Sequence, residues 1–241
     1  MPISCPGSAM PATASSAPSK GRVRRAPAVR KGGIRRANEA RILRAAERVF
    51  ADSGFAGARM AEIAAEAGVP KANLHYYFRS KRAIYRAVLD NILALWLAET
   101  ASITETAEPG AALAQYIRAK MRFSRCYPDA SRVFANEIIH GAKEIGSFLR
   151  GDMKALIDGK SAIIRGWIAE GRMAAIDPRH LFVAIWALTQ TFADFAAQVH
   201  AVMGVKSLSE AQFAAATDEV VALILRGCAI DLATAKAAGT R

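Results

Sequence analysis

From Ile42 onward the apolar residues recur every three or four positions, and no stretch alternates apolar and polar residues as a half-buried strand does. That spacing confines the chain to an all-α architecture. Ile42, Ala46, Val49 and Phe50 fall at i, i+4, i+7 and i+8, one face of a helix, and Gly54 follows as a stop. A short helix over about 60–67 buries Ile63 and Ala64. Gly68 makes a tight turn, and Pro70 stands where a first helical residue tolerates a missing N–H. A second short helix runs to Phe78, and Ser80 caps the next, which reaches about Ala98. Five more helices are expected over 110–126, 129–141, 144–170, 178–203 and 208–235. Gly171 and Gly204 are their stops. Asp177-Pro178 is a start, and Ser207 and Glu210 have capping-box spacing before the last. The expectation is about nine helices with no internal repeat.

Charge divides this helical chain. The net charge is +12, with 17 Lys/Arg against 6 Asp/Glu in residues 1–90 and 16 against 15 in residues 91–241. A basic terminal third on a near-neutral body is the footprint of a polyanion-binding module joined to something else. Residues 1–34 are rich in Pro, Ser and Ala and then in cations, and are expected as a disordered basic tail. A DNA-binding domain over 35–82 and a second domain over 83–241 follow. The start lacks the apolar core of a signal peptide, and the apolar run Leu181 to Ala193 is too short to cross a bilayer. Three dispersed cysteines, Cys5, Cys126 and Cys228, offer neither a disulfide framework nor a metal knuckle, which fits the cytoplasm.

Helix, glycine turn and short helix, preceded by an amphipathic helix, form a helix-turn-helix in a three-helix frame. On a helical wheel, Leu74 and Phe78 share the inward face. Ala72 and Tyr76 point the other way, flanked by Asn73 and His75. That outer face carries groups able to read base edges and a small residue that permits close approach. Lys71 at the helix start, Lys81 at the start of the next helix, Arg59 and Tyr77 complete the expected contacts to operator DNA, the cations on phosphates.

At these residues the chain resembles the TetR family of bacterial regulators. The stretch "ILRAAERVFADSGFAGARMAEIAAEAGVPKANLHYYFRSKRAIYRAVL" carries Phe-x-x-x-Gly-Phe, Ile-Ala-x-x-Ala-Gly-Val and Leu-x-x-Tyr-Phe-x-Ser-Lys. It departs from the family pattern at Ala58-Arg59, where Thr is usual, and at Pro70, where Ser is. Arg79 replaces Pro or Gly, and Arg82 replaces Glu. The resemblance implies a homodimeric, ligand-responsive repressor, with the last two helices forming the dimer.

In the body, Trp186, Gln190, Ala193 and Ala197 line up at i, i+4, i+7 and i+11, a face that can leave a hollow. Trp96 lies in the run "ILALWLA", apolar all round. By residue type alone two readings stand: a ligand site, or plain core with Gln190 paired to a backbone carbonyl or to its copy across a dimer. Asn136, Thr189 and Asp194 are weaker polar candidates. "LDNILALWLAE" and the long segment from "GDMKALIDG" to "ADFAAQV" resemble pyrimidine-responsive members of the family. That resemblance implies uracil or thymine as effector, bound by the positions Trp96, Trp186 and Gln190. An imide edge suits a Gln amide, and an indole suits a base face. The alternatives are a different effector, an enzyme or carrier using the hollow, and sequence-blind binding through the tail. No cofactor, metal or catalytic residue is expected: His75, His140, His180 and His200 lack metal-ligand spacing, and no phosphate loop or nucleophile motif is present.

Overall fold

The structure, a computed structural model, describes residues 28–231. Every regular element among them is helical: α1 (Ala28–Gly57), α2 (Met60–Glu66), α3 (Lys71–Tyr77), α4 (Lys81–Ala98), α5 (Pro109–Cys126), α6 (Pro128–Ile139), α7 (Gly146–Phe148), α8 (Lys154–Ala169), α9 (Pro178–Asp194), α10 (Ala196–Val202) and α11 (Glu210–Gly227). A 3-10 turn follows α4, and a π-helical turn, Leu149–Met153, joins α7 to α8.

The expected all-α class holds, with four corrections to its detail. First, α1 starts at Ala28, so residues 28–34 are helical where a disordered tail was expected; the rest of that tail lies outside the described residues. No proline follows Pro27 until Pro70, and a helix already nucleated at its apolar face extends at one hydrogen bond per residue. Second, the expected helix over 178–203 breaks at Phe195 (φ −118°, ψ 34°) into α9 and α10. Third, α11 is capped by Ser209 and Gln212 rather than by Ser207 and Glu210. Ser209 Oγ accepts from the Gln212 N–H at 3.2 Å, and Gln212 Oε1 accepts from the Ser209 N–H at 2.9 Å. Fourth, α11 ends at Gly227, where Ala229 turns left-handed (φ 52°) and the Ile230 N–H donates back to Leu225 O at 2.9 Å. Cys228 is a free, buried thiol, its pKa pushed up by burial.

The chain divides into two compact units between Asn91 and Ile92, inside α4 rather than at its start. In the first, Ile42, Phe50, Ile63, Leu74, Ile84 and Val88 are buried. Phe50 meets Tyr85 edge-on at 4.9 Å and stacks with Phe55 at 6.2 Å. Gly54 (φ 64°) bends the end of α1, leaving carbonyls without helical partners. Lys81 takes them: its Nζ donates to Ala56 O at 3.2 Å and Ala58 O at 2.8 Å, and lies 4.7 Å from the Phe55 ring. Ser80 accepts the Ala83 N–H, the expected cap of α4.

In the second unit α5 packs on α9 and α11 around buried Leu113, Ile117, Trp167, Phe182 and Leu225. Asp177 caps α9 by accepting the Arg179 N–H at 2.8 Å, a bond that holds its carboxyl below the usual range. Among the described residues no helix is long and apolar enough to cross a membrane.

Candidate functional site

Two places carry chemistry, one in each unit. In the first unit, buried Leu74 and Phe78 pin α3, as the wheel requires, and expose its other face. Lys71, Asn73, His75 and Tyr76 all stand on that exposed face, Tyr76 with 72% of its surface open. Tyr77 turns partly inward, its ring edge-on to Tyr76 at 5.3 Å and its hydroxyl accepting from Asn38 Nδ2 at 3.1 Å. The Arg35 guanidinium lies 5.9 Å from the Tyr76 ring centre. Arg35 and Asn38, near the start of α1, therefore steady the two tyrosines, contacts between segments some forty residues apart that no local spacing reveals.

Arg59 is exposed at the start of α2, where its backbone N–H donates to Glu62 Oε2 at 3.0 Å. Lys81 is the departure. With two of its three donors on Ala56 and Ala58 carbonyls, its first duty is to lock α4 to the α1–α2 corner. Lys71 is exposed at the first position of α3.

In the second unit Trp96 and Trp186 line one cavity together with Tyr116, Lys120, Phe148 and Met153. Its volume is about 30 Å3, room for roughly one water. Trp186 Nε1 donates to Tyr116 Oη at 2.9 Å. Trp96 packs on Phe134 at 4.2 Å and on Phe123 at 5.7 Å, and its Nε1 is buried with no hydrogen-bond partner among the described residues. Lys120 is 3% exposed, with Nζ 3.8 Å from the Trp96 ring centre.

Gln190 is not among the lining residues; it is half-buried, one helical turn beyond Trp186. Thr189 donates to Ile185 O at 2.8 Å, so its hydroxyl is satisfied within α9. Asp194 accepts from Ser131 Oγ at 2.6 Å. Burial pushes its carboxyl up, against the pull of Ser131, Lys120 and Arg132. Lys120 and Tyr116 were missed by sequence reasoning, although a signal was there: Leu113, Ile117, Lys120 and Ser124 share one face of α5, so the lysine falls on the core side. Among the described residues no cluster of three His, Cys, Asp or Glu could hold a metal ion.

Comparison with known proteins agrees with this division. Residues 42–88 match the family described as "Bacterial regulatory proteins, tetR family", and residues 89–231 match "YcdC-like protein, C-terminal region". Over 186 residues the chain is 49% identical to the HTH-type transcriptional regulator RutR of Escherichia coli K12, covering 77% of this chain and 88% of that protein. The HTH-type transcriptional repressor NicS of Pseudomonas putida is 32% identical over 116 residues, 46% of this chain and 55% of its own. Among solved structures, AibR in complex with isovaleryl coenzyme A and operator DNA superposes with a TM-score of 0.61 at 19% identity, over 77% of this chain and 97% of that one. A TetR-like transcriptional regulator from Rhodococcus sp. RHA1 gives 0.59 at 21% identity, over 80% and 96%. With an exposed recognition helix in one unit, a tryptophan-lined cavity in the other and these matches along both, the chain belongs to the TetR family of bacterial transcriptional regulators.

Proposed function

We propose that this ligand-responsive, DNA-binding regulator is a repressor released from its operator by a pyrimidine, uracil or thymine. Regulators of its family bind operator DNA and small-molecule effectors and are dimeric. The observation that carries the pyrimidine reading is the pair Trp96 and Trp186 on one cavity, with a buried cation and an unsatisfied indole N–H beside them. A planar heterocycle with carbonyl oxygens suits such a wall, by stacking and by accepting. The cavity must widen to take a ring, so the effector favours the widened state and acts through its differential affinity for it. Gln190, one turn from Trp186, is proposed as a contact in that state. The exposed apolar residues Val183, Phe195 and Val202 of α9–α10 and Leu223 of α11 supply a face for the second copy. Such a regulator works where the chromosome is, in the cytoplasm.

A thermal-shift screen of nucleobases and their breakdown products tests the effector. A true ligand at 100 times its dissociation constant adds about 2.7 kcal/mol of stability. Silence from uracil and thymine with a response to another class would replace the pyrimidine. Gln190→Leu keeps the volume of the side chain and removes its amide. It should weaken uracil binding by roughly 1–3 kcal/mol, about 5- to 150-fold, and leave effector-free operator binding unchanged. A shifted melting midpoint with unaltered uracil affinity would instead make Gln190 a core or interface amide.

On the DNA side, Asn73→Ala and Tyr76→Ala should relax operator preference, because those side chains stand on the exposed face of α3. Lys71→Ala should weaken all DNA alike and lower the log–log salt slope by about 1. Equal, sequence-blind losses from all three would refute the assignment.

A further inference from the structure

We propose that Arg35, on α1, is a positioning residue for operator readout: it holds the Tyr76 ring in the orientation that meets the bases, so that α1 sharpens the sequence preference of α3 without reading a base itself. This rests on reading Tyr76 as a base contact.

Arg35 and Asn38 stand three residues apart on α1, which puts them on one face of that helix. Both reach α3. The Arg35 guanidinium lies 5.9 Å from the Tyr76 ring centre, and Asn38 Nδ2 donates to Tyr77 Oη at 3.1 Å. Tyr77 in turn lies edge-on to Tyr76 at 5.3 Å. Tyr76 is therefore bounded by a cation of α1 and by a neighbouring ring that α1 also holds, while 72% of its surface stays open.

A tyrosine this exposed has no surrounding core to select its rotamer. A ring free to swing must be ordered when DNA arrives, and ordering a side chain costs affinity. That cost falls unequally. Binding to a wrong sequence rests on phosphate contacts and does not need the ring in place, whereas the specific complex does. Fixing the ring beforehand therefore strengthens the specific complex alone. A guanidinium suits the task, because it is drawn to the negative face of the ring and keeps its charge in water. Arg36 is the natural control. It is exposed too, and carries the same charge about 100° further round the helix.

The test compares affinities of the full chain for two duplexes: one enriched by the natural chain from a randomised pool, and a scramble of the same composition. Arg35→Ala should lower the ratio of the two affinities about 2- to 5-fold, the range for one exposed cation–π contact. Arg36→Ala should leave the ratio unchanged. Adding Arg35→Ala to Tyr76→Ala should lower the ratio no further than Tyr76→Ala alone, because a positioning residue then has nothing to position. These side chains are exposed, so the thermal midpoint should stay that of the natural chain in every variant. Equal weakening of both duplexes by Arg35→Ala, with a log–log salt slope lower by about 1, would make Arg35 a plain phosphate contact and overturn the inference. So would an equal fall of the ratio in Arg36→Ala, or additive losses in the double variant. If Tyr76→Ala leaves the ratio unchanged, the base-contact reading fails and takes this inference with it. A ratio lowered by Tyr76→Ala but untouched by Arg35→Ala removes this inference alone.

Discussion

Phe50→Ala should abolish operator binding and leave effector binding standing. Phe50 is fully buried, with Tyr85 edge-on at 4.9 Å and Phe55 stacked at 6.2 Å. It thereby joins α1 to α4. Truncating a buried phenylalanine costs about 3–5 kcal/mol, because the void is filled only in part. A unit of this size has a total stability on the order of 3–10 kcal/mol. Most of that would go, and with it the folded unit that presents α3. The chain divides between Asn91 and Ile92, so the cavity and its tryptophans lie in the other unit. Operator binding by gel shift and uracil binding by calorimetry, measured on the same preparation, check this. Joint loss of both would mean that the two units unfold as one.

Trp186→Ala should lower effector affinity by roughly 1–3 kcal/mol, about 5- to 150-fold, the range for one base–aromatic stack. The indole is a wall of the cavity and also satisfies Tyr116, its Nε1 lying 2.9 Å from the phenolic oxygen. Trp186→Phe separates the two roles: it keeps much of the stacking face and loses the N–H. Recovery of most of the affinity in the phenylalanine variant assigns the effect to stacking. Effector-free operator binding should be unaltered in both. An alanine variant that binds uracil as the natural chain does would remove the cavity from the effector's path.

The DNA-binding unit was legible because its signals are local. Gly68, Leu74, Phe78 and Ser80 each act within a few residues, so periodicity and capping chemistry read them without knowing the rest of the fold. The cavity was only half legible. Trp96 and Trp186 could be picked out as large aromatics in apolar runs. Their meeting depends on how α4, α5 and α9 pack, and no spacing along the chain encodes it. Lys120 drew no notice in the sequence, although its place on the α5 face with Leu113, Ile117 and Ser124 points inward. The structural bonds of Lys81 were not legible, because its partners, the carbonyls of Ala56 and Ala58, are presented only once Gly54 has bent the end of α1. Phe195 was missed because no proline or glycine marks the break between α9 and α10; that break is made by packing.

The π-helical turn over Leu149–Met153 bears on how a cavity of one water becomes one of ring size. Each hydrogen-bonded loop of a π turn spans one residue more than the corresponding loop of an α-helix. The segment therefore holds a residue of slack, and Gly151 in its middle has open space around it. Phe148 and Met153, at either end of the slack, both face the cavity. Passing that extra residue along the helix would turn one wall by about 100°, the angle per residue of an α-helix, while every backbone donor exchanges one acceptor for the next. In such a register slip each donor gives up one carbonyl as it takes the next, so the wall would turn without the whole helix melting, and the ligand's binding energy need not be drained by unfolding it.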